Sequence, residues 1–206
     1  MSTIPIVPIK ASKFNNSLLF GDRLLLLDLV PKYTVVAEVG VAYGDFSKMI
    51  LAKMEPAKFY AIDTFNINPD KPLWGYTFLK DSGLSHLEWY REQFAQALER
   101  DQMRLMRGLS WECLAKFEDN YFDYVYLDAA HDYDSAKKDI EMLSKKVKNG
   151  GYIQFNDYTL WSIYENKPYG IVQAVNEFLN SGDHVIRGMS IDQGGYHDIL
   201  IQVIKK

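Results

Sequence analysis

The sequence is short of the features that mark special chemistry or a special environment. It carries one cysteine, Cys113, in 206 residues. An intramolecular disulfide is therefore impossible, and a cysteine-based zinc cluster is excluded. The neighbours of Cys113 do not mark it as a nucleophile, and a packing role is expected, as is usual for a free cysteine. No apolar run is long enough to span a bilayer; the richest early one, Leu24-Leu25-Leu26-Leu27, is bounded by Asp22, Arg23 and Asp28. The amino terminus lacks a basic stretch leading into an apolar core and a cleavage site, so a cytoplasmic protein with no membrane partner is expected. Asn15-Asn16-Ser17 fits a glycosylation pattern, which has no weight without a secretion signal. Basic residues are in the minority, 23 Lys and Arg against 27 Asp and Glu, and they are scattered. With a net charge of −4, no global field favours a nucleic-acid partner. Internal repeats, linkers and low-complexity tracts are missing as well.

What is present is an ordinary globular composition, 48% apolar and 24% charged. The length suits one buried core and is short for two, so residues 1–206 are expected to form a single domain. Residues 1–34 read as a helical extension, with an apolar-faced helix over about 12–30 that Pro31 ends. Short apolar runs then alternate with amphipathic segments. Strands are expected at 35–39, 59–62, 103–106, 124–127 and 152–155, with a closing pair at 184–189 and 199–204 that can be antiparallel. Helices are expected at 45–54, 85–100, 111–117, 134–147 and 171–179, with Gly150-Gly151 stopping the fourth. Alternation of this kind predicts an α/β fold: a doubly wound, mostly parallel sheet, an antiparallel C-terminal strand, and helices on both faces. Two stretches break the rhythm, 65–83 with Trp74, Tyr76 and Phe78, and 158–169 with Trp161 and Tyr164. Long loops in a small domain are usually functional. Their aromatics suit the wall of a small-molecule pocket, or alternatively a contact in a homo-oligomer.

The chain is organised around Glu38-Val39-Gly40-Val41-Ala42-Tyr43-Gly44, which joins the first of the parallel strands to the helix after it. In an open α/β sheet such a turn is where backbone approaches a nucleotide-like ligand most closely. The dinucleotide pattern G-x-G-x-x-G is not met, since Ala42 stands where its second glycine belongs. Glu38 would repel a pyrophosphate but suits a ligand bearing an ammonium group. S-adenosylmethionine has a nucleoside, no phosphate and a free amino group. Asp63, nineteen positions after Gly44 and at the end of the next strand, is placed to accept both ribose hydroxyls. That spacing supports a nucleoside without choosing among nucleoside ligands.

Further along lie Gly108-Leu109-Ser110-Trp111, then Tyr126-Leu127-Asp128-Ala129-Ala130-His131-Asp132-Tyr133, then Gly150-Gly151-Tyr152-Ile153-Gln154-Phe155-Asn156-Asp157-Tyr158. With the glycine turn and Asp63, this order resembles class I S-adenosylmethionine-dependent methyltransferases over residues 35 to 160. The stretch 122–158 is similar to the small metal-dependent O-methyltransferases of the catechol and macrolide-sugar types. The resemblance implies a Rossmann-like domain whose cofactor lies against Glu38, Gly40, Ala42, Tyr43, Gly44, Asp63, Ser110, Trp111 and Asp128. Trp111 is nearly as well explained as plain core.

Parallel strands lie roughly 4.8 Å apart, so adjacent fourth and fifth strands would bring Asp128 beside Asn156 and Asp157. Three oxygen-bearing side chains describe a hard cation, most simply Mg²⁺. Such a cation would take the acceptor hydroxyl as a ligand and lower its pKa. His131 is placed as the general base, and Asp128 shares the catalytic position. The acceptor expected is a small hydroxylated molecule. Open alternatives are that Asp128 and Asp157 merely cap strand ends with His131 on the surface, that the enzyme is a metal-independent methyltransferase, or that the chain is a nucleotide-binding oxidoreductase or non-catalytic module.

Overall fold

Apolar runs buried on both faces become the strands of one sheet. The computed structural model describes residues 7–192 and 194–205. Its strands are β1 (Leu18–Phe20), β2 (Val35–Val39), β3 (Lys58–Asp63), β4 (Met103–Arg107), β5 (Phe122–Leu127), β6 (Val147–Phe155), β7 (Trp161–Ser162), β8 (Lys167–Pro168), β9 (Val185–Ser190) and β10 (Ile199–Gln202). The α-helices are α1 (Asp45–Met54), α2 (Phe78–Ser82), α3 (His86–Gln93), α4 (Ala95–Glu99), α5 (Ser110–Leu114), α6 (Tyr133–Lys146) and α7 (Ile171–Ser181). Eight strands form the sheet in the order β1-β9-β10-β6-β5-β2-β3-β4. The pairs from β6 through β5, β2 and β3 to β4 are parallel, and β10 runs antiparallel to both β6 and β9. This is the α/β, Rossmann-like architecture that the strand–helix alternation predicts.

Strand residues alternate between two cores. Ala37, Val39, Ile62, Val125, Leu127, Ile153 and Phe155 point to the side covered by α5, α6 and α7. Val36, Phe59, Ala61, Tyr124 and Tyr126 point to the other side, under α1 and α3. The sheet is thus sandwiched, and its carboxyl-end edge is left for a ligand. Among the described residues no helix is long and apolar enough to cross a membrane.

Four local expectations are corrected. The helix expected over 12–30 is two 3-10 helices, Ala11–Phe14 and Arg23–Leu29, with β1 between them. Asn16 takes a left-handed φ of 60° and Asp22 accepts a hydrogen bond from the Leu24 N–H, so the backbone restarts at each point. What reads as a helical extension therefore contributes a strand, parallel to β9. Gly150 and Gly151 do not end α6; they lie inside β6, because fully buried Val147 already turns extended to pair with Phe122. The helix expected over 85–100 breaks at Phe94, where φ is −117°. The stretches 65–83 and 158–169 contain α2 and the β7–β8 hairpin.

Candidate functional site

The chain leaves β2 for β3 on one side of the sheet and returns as β5 on the other. That reversal opens a crevice at the carboxyl ends of β2 and β5. The glycine turn closes its floor. Gly40, Ala42 and Gly44 all have positive φ, 84°, 42° and 78°. The Gly40 N–H donates to Ile62 O at 2.8 Å, and the Asp128 N–H donates to Val39 O at 2.8 Å. A Cβ at Gly40 would stand 1.8 Å from the Asp128 carbonyl oxygen, so only glycine allows β2 and the end of β5 to meet here. At Gly44 a Cβ would meet the Phe94 ring at 2.6 Å.

Asp63 stands at the end of β3, half-buried, as its spacing predicts. Its Oδ2 accepts the Val41 N–H at 2.8 Å and its Oδ1 accepts the Phe65 N–H at 2.7 Å. It thereby pins the glycine turn to the start of the 65–83 segment. Glu38 does not face the crevice. It is 2% exposed, and its carboxylate accepts the hydroxyl of Ser47 on α1, which in turn is bonded to the Tyr90 hydroxyl at 2.7 Å. Burial pushes its pKa well up, against the Ser47 hydrogen bond, with Asp128 and Asp63 adding to the rise. The expected contact with an ammonium group is replaced by a supporting role beneath the turn, because an inward β2 residue meets α1 before it meets solvent. Tyr43 is buried under aromatics of 65–83 and α3: its ring packs edge-on to Trp74, Phe78 and Trp89. Ser110 and Trp111 open α5, both half-buried, and face α6: Ser110 lies beside the Asp139 carboxyl and Lys138 Nζ is 5.2 Å from the Trp111 ring centroid.

The ends of β5 and β6 bring the remaining residues together. The Asn156 N–H donates to Leu127 O at 3.0 Å, which sets Asp128 and Asp157 on one rim. His131 reaches back between them. Its Nε2 lies 3.6 Å from Asp128 Oδ1 and 3.8 Å from Asp157 Oδ2, too far for a hydrogen bond, and this buried nitrogen has no partner. The ring stacks on Tyr169 at 4.6 Å and 8°, and Gly170 N–H binds His131 O at 2.8 Å, so the 158–169 hairpin holds it in place. Burial lowers the His131 pKa to about 4. Burial raises that of Asp157 to about 6, with Arg23 opposing. Asp128 is pushed well up by burial and by the like charge of Asp157.

The residues expected to hold Mg²⁺, Asp128, Asn156 and Asp157, stand together at the ends of β5 and β6. The Asn156 amide donates to Asp198 Oδ1 at 3.2 Å, and the two carboxylates flank a histidine nitrogen. Among the described residues no group of three or more His, Cys, Asp and Glu side chains is placed to hold a metal. Pattern reading also missed residues that complete the site. Arg23 donates to the Tyr126 hydroxyl at 3.2 Å and lies over the Phe46 ring. Asp198, buried, takes the amides of Gln154 and Asn156, and burial lifts its pKa to about 7. Arg23, Phe46, Asn156, Tyr196 and Asp198 line a cavity of about 450 Å³ beside the crevice. Arg23 and Asp198 are 175 positions apart in the chain, and no local pattern links them.

A model of the methyltransferase domain family matches residues 37–158, more than half of the chain. The chain belongs to the methyltransferase domain family. No curated protein sequence matches it. Solved structures share its fold at low identity. The methyltransferase is similar to a Clostridium thermocellum protein at 11% identity and TM-score 0.63, covering 97% of this chain and 99% of that one. It is also similar to precorrin-6y C5,15-methyltransferase of Geobacter metallireducens at 16% identity and TM-score 0.57, covering 88% and 85%. A third is the B. subtilis M1A22 tRNA methyltransferase TrmK, at 10% identity and TM-score 0.57, covering 91% and 67%. The methyltransferase thus has the class I, S-adenosylmethionine-dependent fold.

Proposed function

We propose that this methyltransferase transfers the methyl group of S-adenosylmethionine to a hydroxyl of a small molecule, with His131 as general base and without a metal. The single observation carrying this reading is the buried, unpartnered His131 Nε2 between the Asp128 and Asp157 carboxyls at the mouth of the crevice. S-adenosylmethionine supplies, when bound, an activated methyl group on a sulfonium. The backbone of 40–44 would hold it, with Asp63 at the ribose, Ser110 and Trp111 beside the adenine, and Asp128 near the amino-acid end. With the cofactor bound, His131 Nε2 would take the proton of the acceptor hydroxyl as its oxygen receives the methyl group and the carbon–sulfur bond breaks. A neutral ring is needed for that step, and burial keeps His131 neutral. Against the opposing effect of burial, Glu165, the Asn156 side chain and Asp132 favour the imidazolium.

A small acceptor is favoured by the cavity of about 450 Å³ beside the crevice. The net charge of −4 argues against a nucleic-acid acceptor. S-adenosylhomocysteine should raise the melting temperature, and NAD(P) should not. On a panel of hydroxylated small molecules, His131→Asn should lower kcat by about 10²- to 10⁴-fold and leave S-adenosylhomocysteine affinity unchanged. Turnover should survive excess EDTA. Wild-type kcat in the His131 variant would end the base assignment, and loss of turnover in EDTA would restore the Mg²⁺ reading.

A further inference from the structure

The capping box that starts α3 aims a residue into the cofactor turn. Ser85 accepts the Glu88 N–H while Glu88 accepts the Ser85 N–H, so the first helical residue, His86, is fixed and 1% exposed. Its Nε2 is 2.6 Å from Ala42 O, and its Nδ1 lies 3.4 Å from the Ile67 N. A carbonyl only accepts and a backbone N–H only donates. The ring therefore carries its proton on Nε2, giving it to the turn, and accepts from the 65–83 segment on Nδ1. Phe65, itself at φ 50°, packs on the same ring at 5.3 Å.

Ala42 is the one non-glycine residue of the turn at positive φ, a conformation that persists only where the surroundings impose it. In a trans peptide the C=O and the following N–H point to opposite sides. Anchoring Ala42 O on His86 therefore turns the Tyr43 N–H away from α3. Tyr43, at the same time, carries the aromatic contacts to Trp74 and Phe78. One imidazole thus ties the strained residue of the cofactor turn to the start of the aromatic segment beside it.

We propose that His86 is a positioning residue for cofactor binding, which sets the Ala42–Tyr43 peptide and couples the turn to the 65–83 segment. The inference rests on the reading of the crevice as the S-adenosylmethionine site. Two full-length variants test it: His86→Gln, whose amide can donate to Ala42 O and accept from Ile67 N–H, and His86→Phe, which fills the space and does neither. Calorimetric titration with S-adenosylhomocysteine should show His86→Phe weakened by about tenfold or more, with His86→Gln recovering most of the affinity. Hydrogen exchange on the wild type should show S-adenosylhomocysteine protecting 65–83 together with 40–44, a readout that does not depend on either variant folding. Equal affinity in wild type and His86→Phe, a His86→Gln as weak as His86→Phe, or protection confined to 40–44 would each overturn the inference alone. A wild type that does not bind S-adenosylhomocysteine would overturn the cofactor reading and this inference with it.

Discussion

Gly40 shows how little room a single position in the crevice has. Its φ of 84° and a Cβ position 1.8 Å from the Asp128 carbonyl oxygen leave no side chain a place. Gly40→Ala should lose about 3 kcal/mol or more of stability and abolish S-adenosylhomocysteine binding. An unchanged urea midpoint would contradict that placement. Asp139 is the opposite case, a residue whose replacement should help. It is 1% exposed, its Oδ1 has no partner, and burial raises its pKa to about 6. A carboxyl with a raised folded pKa contributes its full stability below its unfolded pKa and loses it as pH climbs through the folded one. Asp139→Asn should therefore gain about 2 kcal/mol at pH 8 and almost nothing at pH 4, read from urea denaturation at the two pH values. An equal gain at both would mean that the charge is not the cause.

At the scale of elements, the start of α3 illustrates how a local motif governs a distant site. Ser85→Ala removes the side-chain acceptor for the Glu88 N–H and should cost about 1 kcal/mol. It should also loosen His86, so hydrogen exchange at 40–44 should quicken in this variant although residue 85 does not touch the turn. Exchange at 40–44 identical to the wild type would show that the cap is purely local. The β7–β8 hairpin acts similarly on the other wall. Tyr169 stacks on His131, and the Tyr169 hydroxyl donates to Glu165 at 2.8 Å. The two aromatic stretches are therefore supports for site residues, with Trp74, Tyr76, Ile163 and Tyr164 left exposed at their outer surfaces.

At the scale of the molecule, the fold buries carboxyls whose ionisation it opposes. Asp198 is raised to about 7 and Asp157 and Asp139 to about 6, each chiefly by burial. Stability from these groups is complete below about pH 4 and disappears as pH rises through 6 to 7. His131 and His184 act in the opposite sense. Burial holds both at about 4, so their contribution is lost only as pH falls from about 6.5 towards 4. Between pH 8 and 6.5 the carboxyls therefore act almost alone. Scanning calorimetry should show the melting temperature rising as pH is lowered across that window, and a flat or falling profile would refute the balance drawn here.

Local pattern alone determined the parallel strands, the glycine turn and the place of Asp63 at a strand end. These follow from period and from glycine's access to positive φ, both of which are written in short stretches of chain. Tertiary structure decided the rest. It turned Glu38 inward to Ser47, sent the Asn156 amide N–H to Asp198, made a sheet strand out of Leu18–Phe20, and brought Arg23 and His86 to the crevice. Each of those outcomes depends on which distant group arrives next to a buried polar atom. Burial makes satisfying that atom compulsory, and sequence spacing does not say which group will do it.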